Sequence, residues 1–313
     1  MSSLAVVIPL YNHAAYIEPT LRSVISQTTP PHRVIIIDDG STDDSFAQAQ
    51  TLAGQFSNTS IEVIRQENCG AHAALNRGIE LAADCEFVAI LNSDDLWHPE
   101  RLERCLAKLL ANPSLALVCT GLHLIDSAGQ PLPEDSPKAR RHRKVWALVE
   151  KENDPLLSLA VSNFAKTTSN LIARRSFLIA HPFGDYRYVH DYHFLLQAAF
   201  ADTLGVLPDD LLGYRVHTTN TIKADGRRPV VAETVQMHLD LLGKMAPALS
   251  ESATLRNRLR LYLQRLFGNY TDFRSQLFLQ LIANAMQTHP SLFQTTNLGD
   301  YAEFESKSDP LPA

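Results

Sequence analysis

Short apolar runs alternate with helically spaced apolar residues along the first part of the chain. Leu4 to Ile8, Val34 to Ile37, Ile61 to Ile64, Phe87 to Leu91 and Ala116 to Ile125 are the runs. Several are apolar without alternation, which predicts strands covered on both faces, as in a parallel sheet. Between them Ile17, Leu21, Val24 and Ile25 share a helical face, as do Phe46, Ala49, Ala53 and Phe56. Leu75, Gly78, Ile79 and Ala82 form a third such set, and Leu102, Leu106, Leu109 and Leu110 a fourth. These spacings predict amphipathic helices. Pro9 ends the first strand, Thr29-Pro30-Pro31 forces a turn, and Asn112-Pro113 stops the fourth helix, because a residue before proline avoids helical torsions. The order β-α-β-α-β-α-β-α-β implies a mostly parallel, doubly wound α/β sheet with right-handed crossovers.

The rhythm breaks at Ser127. Pro131, Pro133 and Pro137 lead into the basic run Lys138 to Lys144, KARRHRK, which is expected to be a solvated, mobile loop. Its functional alternative is a patch meeting an anionic acceptor or an anionic membrane surface. Trp146 to Val161 is expected to be helical with a break at Asp154-Pro155, Ser169 to Ala173 a strand, and Tyr188 to Tyr192 the start of another helix. Thr203 to Leu207 and Leu211 to Val216 are expected to be short strands completing a smaller mixed sheet. From about Asp225 three helical patterns follow: Val235-Leu239-Leu242, then Leu255-Leu259-Tyr262-Leu263-Leu266, then Phe273-Leu277-Leu281. They carry no chemical constellation and are expected to be a helical appendage, packing on the main domain or forming a homo-oligomer contact. The tail from Gln294 is polar and expected to fray.

Composition narrows the classes. A net charge of −6 argues against nucleic acid as the main partner. Cys69, Cys85, Cys105 and Cys119 lie far apart with no C-x-x-C pair, so they are expected to be reduced thiols. The N-terminal apolar run lacks a basic flank and is too short for a signal sequence, and no run reaches the length of a membrane span. The expected location is cytoplasmic, with room for a peripheral contact at the inner face of the membrane.

Candidate chemistry sits at the strand ends. Three strands finish in polar residues suited to a ligand: Tyr11-Asn12, Asp38-Asp39 and Asp94-Asp95. In an open α/β sheet these tips share the edge where ligands bind. Adjacent carboxylates repel unless a cation or hydrogen-bond donors compensate them. Magnesium-like ions are commonly held by one or two carboxylates plus substrate phosphates, so a metal–diphosphate site is one reading and a helix N-cap the other.

Four motifs in order, Val6-Val7-Ile8-Pro9-Leu10-Tyr11-Asn12, Asp38-Asp39-Gly40-Ser41-Thr42-Asp43, Asn68-x-Gly70 with Asn76-x-Gly78, and Asn92-Ser93-Asp94-Asp95, resemble family 2 glycosyltransferases of the GT-A fold. The resemblance continues through His190-Asp191-Tyr192 and Tyr214-Arg215-Val216-His217-x-x-Asn220, covering about residues 3–222. It implies a GT-A domain over 1–224, with a nucleotide-binding half (1–126) and an acceptor-binding half (127–224), followed by the helical extension 225–313. It also implies inverting transfer of a sugar from a nucleotide diphosphate, UDP favoured, to a hydroxyl of a glycan or lipid-linked glycan. Carried over, Pro9 and Tyr11 would line the base pocket, and Asp39 would accept from a base N–H. Asp94 would contact the ribose or donor side, and Asp95 would bind Mg2+ or Mn2+. Asp191 would be the catalytic base, and Arg215 and His217 would close over the diphosphate. Asn12, Asn68, Asn76 and Ser93 complete the expected nucleotide-sugar set. Asn92 and His190 stand where the family often has Asp and Glu.

Other classes fit less well. A dinucleotide-dependent dehydrogenase needs G-x-G-x-x-G after the first strand. A sugar-phosphate nucleotidyltransferase would normally place a glycine-rich, Arg- and Lys-bearing loop there. Pro9-Leu10-Tyr11-Asn12 occupies that place. A catalytically degenerate scaffold is opposed by the intact set Asp39, Asp94, Asp95 and Asp191.

Overall fold

The strand β1 (Leu4–Leu10) lies inside the sheet of the first unit, and its residues from Leu4 to Ile8 are almost completely buried. It pairs in parallel with β2 (Arg33–Asp38) on one side and with β4 (Phe87–Ile90) on the other; β3 (Ser60–Arg65) extends the parallel run beyond β2. The computed structural model of the 313-residue chain is described for residues 3–56, 59–217 and 227–266. The chain divides into two units, Met1–Asn220 and Thr221–Ala313.

The helices α1 (Ile17–Ile25), α2 (Ser45–Gln55), α3 (Ala71–Leu81) and α4 (Arg101–Ala111) fall where the apolar spacing predicts them. Gly78 of α3 sits against Val7 of β1 so closely that a Cβ there would overlap the valine methyl. The short strand β5 (Leu96–Trp97) precedes α4, and β6 (Leu117–Ile125) follows it.

The second half differs from expectation in three places. First, the basic run is helical: α5 spans Pro137–Glu152 and α6 spans Pro155–Val161. Ser136 caps α5 by accepting from the Ala139 N–H, and Pro137 occupies its first turn. This cap signal was present in the sequence; the charges of KARRHRK obscured it. Second, β7 (Ile172–Arg174) is short and is preceded by a single 3-10 turn, Thr168–Asn170; α7 (Arg175–Ala180) and α8 (His190–Phe200) follow. Third, the two expected short strands are one long strand, β8 (Leu204–Arg215), with register shifts opposite Gly121.

The mixed region is therefore not a separate sheet. One eight-stranded sheet runs in the order β3-β2-β1-β4-β7-β6-β8-β5. β7 lies antiparallel between β4 and β6, and β5 antiparallel on β8. This topology brings the C-terminal end of β8 to the tip of β4, which sequence order alone would not do.

In the second unit, α9 (Arg227–Glu251) and α10 (Ala253–Leu266) are joined by a 2.7 Å hydrogen bond between His238 Nε2 and the Tyr262 hydroxyl. The segment around Asn220, the boundary expected at 224/225, the Phe273-Leu277-Leu281 pattern and the tail from Gln294 lie outside the described residues. No described helix is long and apolar enough to cross a membrane.

Candidate active site

Three strand tips converge through bonds between their turns. The Asp39 N–H donates to the Leu10 carbonyl at 2.8 Å, joining the ends of β1 and β2. Asn12, with φ 52° in the left-handed region, donates its N–H to Ser41 Oγ and accepts from the Thr42 N–H through Oδ1. Asn12 thus holds the two turns together while remaining exposed. Next to it, His13 Nδ1 meets Ser93 Oγ at 2.8 Å, which links the β1 tip to the β4 tip.

The expected residues divide into those at the cleft and those beneath it. Pro9 is half-buried at the end of β1, and Tyr11 is 46% exposed beside it. Asp39 is buried; its Oδ1 accepts from Gln66 and the Cys69 N–H, and its Oδ2 accepts from the Gly70 N–H at 2.8 Å. A carboxylate offers about four lone-pair sites, so Asp39 keeps capacity for a further donor. Gly40, at φ 75°, lets this turn run against the Asn68 backbone, and Asn68 itself is exposed. Asn76 lies elsewhere than expected. Its amide donates to the Phe183 carbonyl and accepts from the Phe183 N–H, both at 2.9 Å, so it fastens α3 to the loop before α8.

Asp94 and Asp95 are adjacent in sequence and opposite in environment. Asp95 is fully buried: Oδ1 accepts from the Arg215 N–H at 2.8 Å, and Oδ2 from Ser169 Oγ at 2.6 Å and Thr167 Oγ1 at 3.2 Å. Burial, reinforced by the Asp94 charge, pushes the Asp95 carboxyl well above the usual range. Asp94 Oδ2 lies 2.8 Å from His217 Nε2. Burial alone would raise its pKa, but the His217 hydrogen bond and the nearby His13 and His217 hold the carboxyl low. His13 is kept below its ordinary value chiefly by burial. One ligand atom each from His13, Asp94 and His217 lies within 4.8 Å of the others. Expectation gave the cation to Asp95. Among the described residues that three-residue group contains Asp94, whereas both Asp95 oxygens accept from protein donors.

Arg215 also departs from expectation. It is 2% exposed, and Nε donates to the Asp94 carbonyl at 2.6 Å. Nη1 donates to the carbonyls of Asp126 and Ser127, each at 3.0 Å, and the guanidinium lies 4.8 Å from the Tyr16 ring centroid. These bonds clamp the acidic tip to the 126–127 turn. His217, two residues on, carries its ring to Asp94.

The family model for Glycosyl transferase family 2 matches residues 5–176. The chain belongs to this family. An uncharacterized glycosyltransferase of Nostoc sp. is 30% identical over 220 residues, 69% of this chain and 66% of that one. The chain spans about two thirds or less of the length of the first curated relatives it matches. Among solved structures, S. aureus TarS 1-349 in complex with UDP-GlcNAc matches with TM-score 0.61 at 16% identity, covering 96% of this chain and 81% of that one. Glucosyl-3-phosphoglycerate synthase from Mycobacterium tuberculosis, with Mn2+, UDP and glucosyl-3-phosphoglycerate, matches with TM-score 0.50 at 19% identity over 77% and 79% of the two chains. These likenesses show the GT-A fold.

In this family 2 domain, Asp191 stands in the first turn of α8 and is 6% exposed. Val189 is the N-cap of that helix, so Asp191 is not its cap. Its Oδ2 accepts from Asn163 Nδ2 and its Oδ1 from the Tyr192 N–H, each at 2.8 Å. The segment 163–169 connects this aspartate to the acidic tip. Asn163 holds Asp191; Thr167 and Ser169 hold Asp95; and Thr167 and Thr168 bracket the Asn92 amide at 3.0 and 2.7 Å. His190 Nδ1 meets the Tyr186 carbonyl at 3.0 Å. Sequence reasoning missed His13, Asn163, Thr167 and Ser169. His13 could have been found from its place directly after Tyr11-Asn12. The other three carry no pattern that separates them from an ordinary polar loop.

Proposed function

We propose that the chain is an inverting glycosyltransferase that moves a sugar from a nucleotide diphosphate to a hydroxyl of a glycan or lipid-linked glycan. The observation that carries this reading is the segment 163–169, which joins Asp191 to the Asn92-to-Asp95 tip through direct hydrogen bonds. A UDP-sugar is favoured: Asp39 retains acceptor capacity for a base N–H beside Pro9 and Tyr11, and the solved relatives named above bind UDP or UDP-GlcNAc.

The donor set fits a divalent cation, because Asp94 Oδ2 and His217 Nε2 form a buried carboxylate–imidazole pair. Asp94 and His217 would hold Mg2+ or Mn2+. When bound, the ion would act as a Lewis acid toward the charge that develops on the leaving diphosphate. Arg215 holds the Asp94 backbone in place for that role. Asp191 acts as general base: a hydroxyl is a poor nucleophile, and a positioned carboxylate takes its proton as it attacks. The anomeric carbon passes through an oxocarbenium-like state, and a single displacement inverts its configuration. Asn163 orients Asp191 through its amide. The region 127–217 lies on the acceptor side in this reading, and the helical extension takes no part in the chemistry.

The test is a thermal-shift and turnover screen with UDP-, dTDP- and GDP-sugars in the presence of Mn2+. At least one donor should raise the melting temperature and release its nucleoside diphosphate. Absence of both effects for every donor, with Asp94→Ala behaving as wild type, would refute the assignment.

A further inference from the structure

We infer that His13 is a third protein ligand of the cation site, and that the site therefore takes Mn2+ or a similar transition-metal ion in preference to Mg2+. This deepens the cation reading of Asp94 and His217 and rests on it.

The argument starts from position. His13 follows the left-handed Asn12 in the turn between β1 and α1, and its own N–H donates to Ser45 Oγ at 2.8 Å. Its backbone is therefore pinned, and its ring meets the tip of β4 at Ser93. Ser93 Oγ takes up Nδ1 at 2.8 Å, leaving Nε2 as the ring nitrogen that can serve as ligand. A hydrogen bond that the far nitrogen donates, usually to a carboxylate, a backbone carbonyl or water, fixes the orientation of a metal-binding imidazole; here the Ser93 hydroxyl stands in that place. The Tyr16 ring packs edge-on against His13 at 5.7 Å and lies 5.1 Å from His217, so one aromatic side chain braces both histidines.

Distances are compatible with a single ion. Bonds of about 2.1 Å in octahedral geometry place neighbouring ligand atoms about 3.0 Å apart and opposite ones about 4.2 Å apart. Asp94 and His217 stand at 2.8 Å, and all three ligand atoms lie within 4.8 Å of one another. With His13 opposite one of the other two ligands, the widest separation, at most 4.8 Å, would close by about 0.6 Å to reach about 4.2 Å. Packing against Tyr16 accounts for an aromatic ring at position 13. It does not account for a ring nitrogen within 4.8 Å of both a carboxylate oxygen and a second imidazole nitrogen.

The donor set then decides the metal. Mg2+ prefers oxygen ligands and retains its waters, while imidazole suits transition metals. A site of one carboxylate alone, or one carboxylate with one imidazole, still suits Mg2+ in the presence of phosphates. Two imidazoles with one carboxylate shift the balance toward Mn2+ and its neighbours.

The test uses the full chain, without nucleotide, and Mn2+ alone as the probe. Free Mn2+ is counted by electron paramagnetic resonance, and electron spin-echo modulation counts the coordinated imidazole nitrogens. Wild type should show two such nitrogens, and His13→Gln one. The Mn2+ dissociation constant should rise about tenfold or more in His13→Gln, and Mg2+ should compete correspondingly better. His13→Asn is measured alongside, so that one poorly folded variant does not decide the result. One coordinated nitrogen in wild type, or unchanged Mn2+ affinity in both variants, would overturn the third ligand. Asp94→Ala separates the two levels: loss of Mn2+ binding there with unchanged His13 variants sinks only the inference about His13. Retained binding in Asp94→Ala sinks the cation site and the inference together.

Discussion

Arg215→Lys discriminates between two roles for one side chain. If Arg215 reached over a bound diphosphate, the substitution would spare stability and weaken only donor binding. The structure instead shows a clamp: Nε on the Asp94 carbonyl at 2.6 Å, Nη1 on two carbonyls of the 126–127 turn at 3.0 Å, and the guanidinium plane over Tyr16. Lysine brings a point charge on a narrower stem and can satisfy only part of this set. Charge-assisted hydrogen bonds contribute about 1.5–3 kcal/mol each, and a desolvated cation–π contact adds about 1–2 kcal/mol. Loss of one such bond and the ring contact gives an expected destabilisation of about 3 kcal/mol, since the site is 2% exposed and water cannot replace the donors. Urea unfolding followed by circular dichroism measures this, with Mn2+ affinity as the second readout because Asp94 hangs from the same clamp. A destabilisation below about 0.5 kcal/mol, the range of ordinary surface substitutions, together with a selective loss of donor affinity, would refute the clamp.

Asp191→Asn should lower turnover by about 10^2–10^4-fold while leaving the donor-induced thermal shift unchanged; wild-type turnover would remove the base assignment. Asn76→Ala should destabilise by about 2 kcal/mol, since it strands both backbone groups of Phe183, and should leave donor affinity as it was; the combination of urea unfolding and a donor titration checks both halves. Stability should fall in acid through His142, which is 5% exposed, meets the Leu122 carbonyl through Nε2 at 2.7 Å, and is pushed by burial from 6.5 down to about 4. Its folded-state pKa is depressed, so its contribution is complete above pH 6.5 and is lost as the pH drops toward about 4. At about 1.4 kcal/mol per pH unit the loss approaches about 3 kcal/mol, and His142→Gln should flatten that part of the profile; parallel profiles for the two proteins would contradict it.

Much of the fold over residues 1–126 was legible because its signals are local. Val34 to Ile37 reads as a buried strand because no face of it needs water, and the four helical faces announce themselves by spacing. The basic helix α5 was not legible in the same way: the charged residues of the KARRHRK run are mostly exposed, with His142 buried among them, and only Ser136 and Pro137 mark the start. Asn76 shows what spacing does not reveal: it stands in a motif that suggests a ligand contact, and its amide bonds both backbone groups of Phe183, a partner 107 positions away.

The sequence by itself determined the strand and helix succession, the family, and the fact that acidic and amide residues end the strands. It gave the cation to Asp95, and could not show which of the two neighbouring aspartates has both oxygens taken by protein donors. The tertiary structure decided that by folding β8 back so that Arg215 and His217 arrive 120 and 123 positions after Asp95 and Asp94. The reason is physical: burial and a neighbouring charge work against ionisation of both carboxylates at once. Backbone and hydroxyl donors fill the Asp95 side of the chain, and that leaves Asp94, paired with an imidazole, as the carboxylate that can meet a cation.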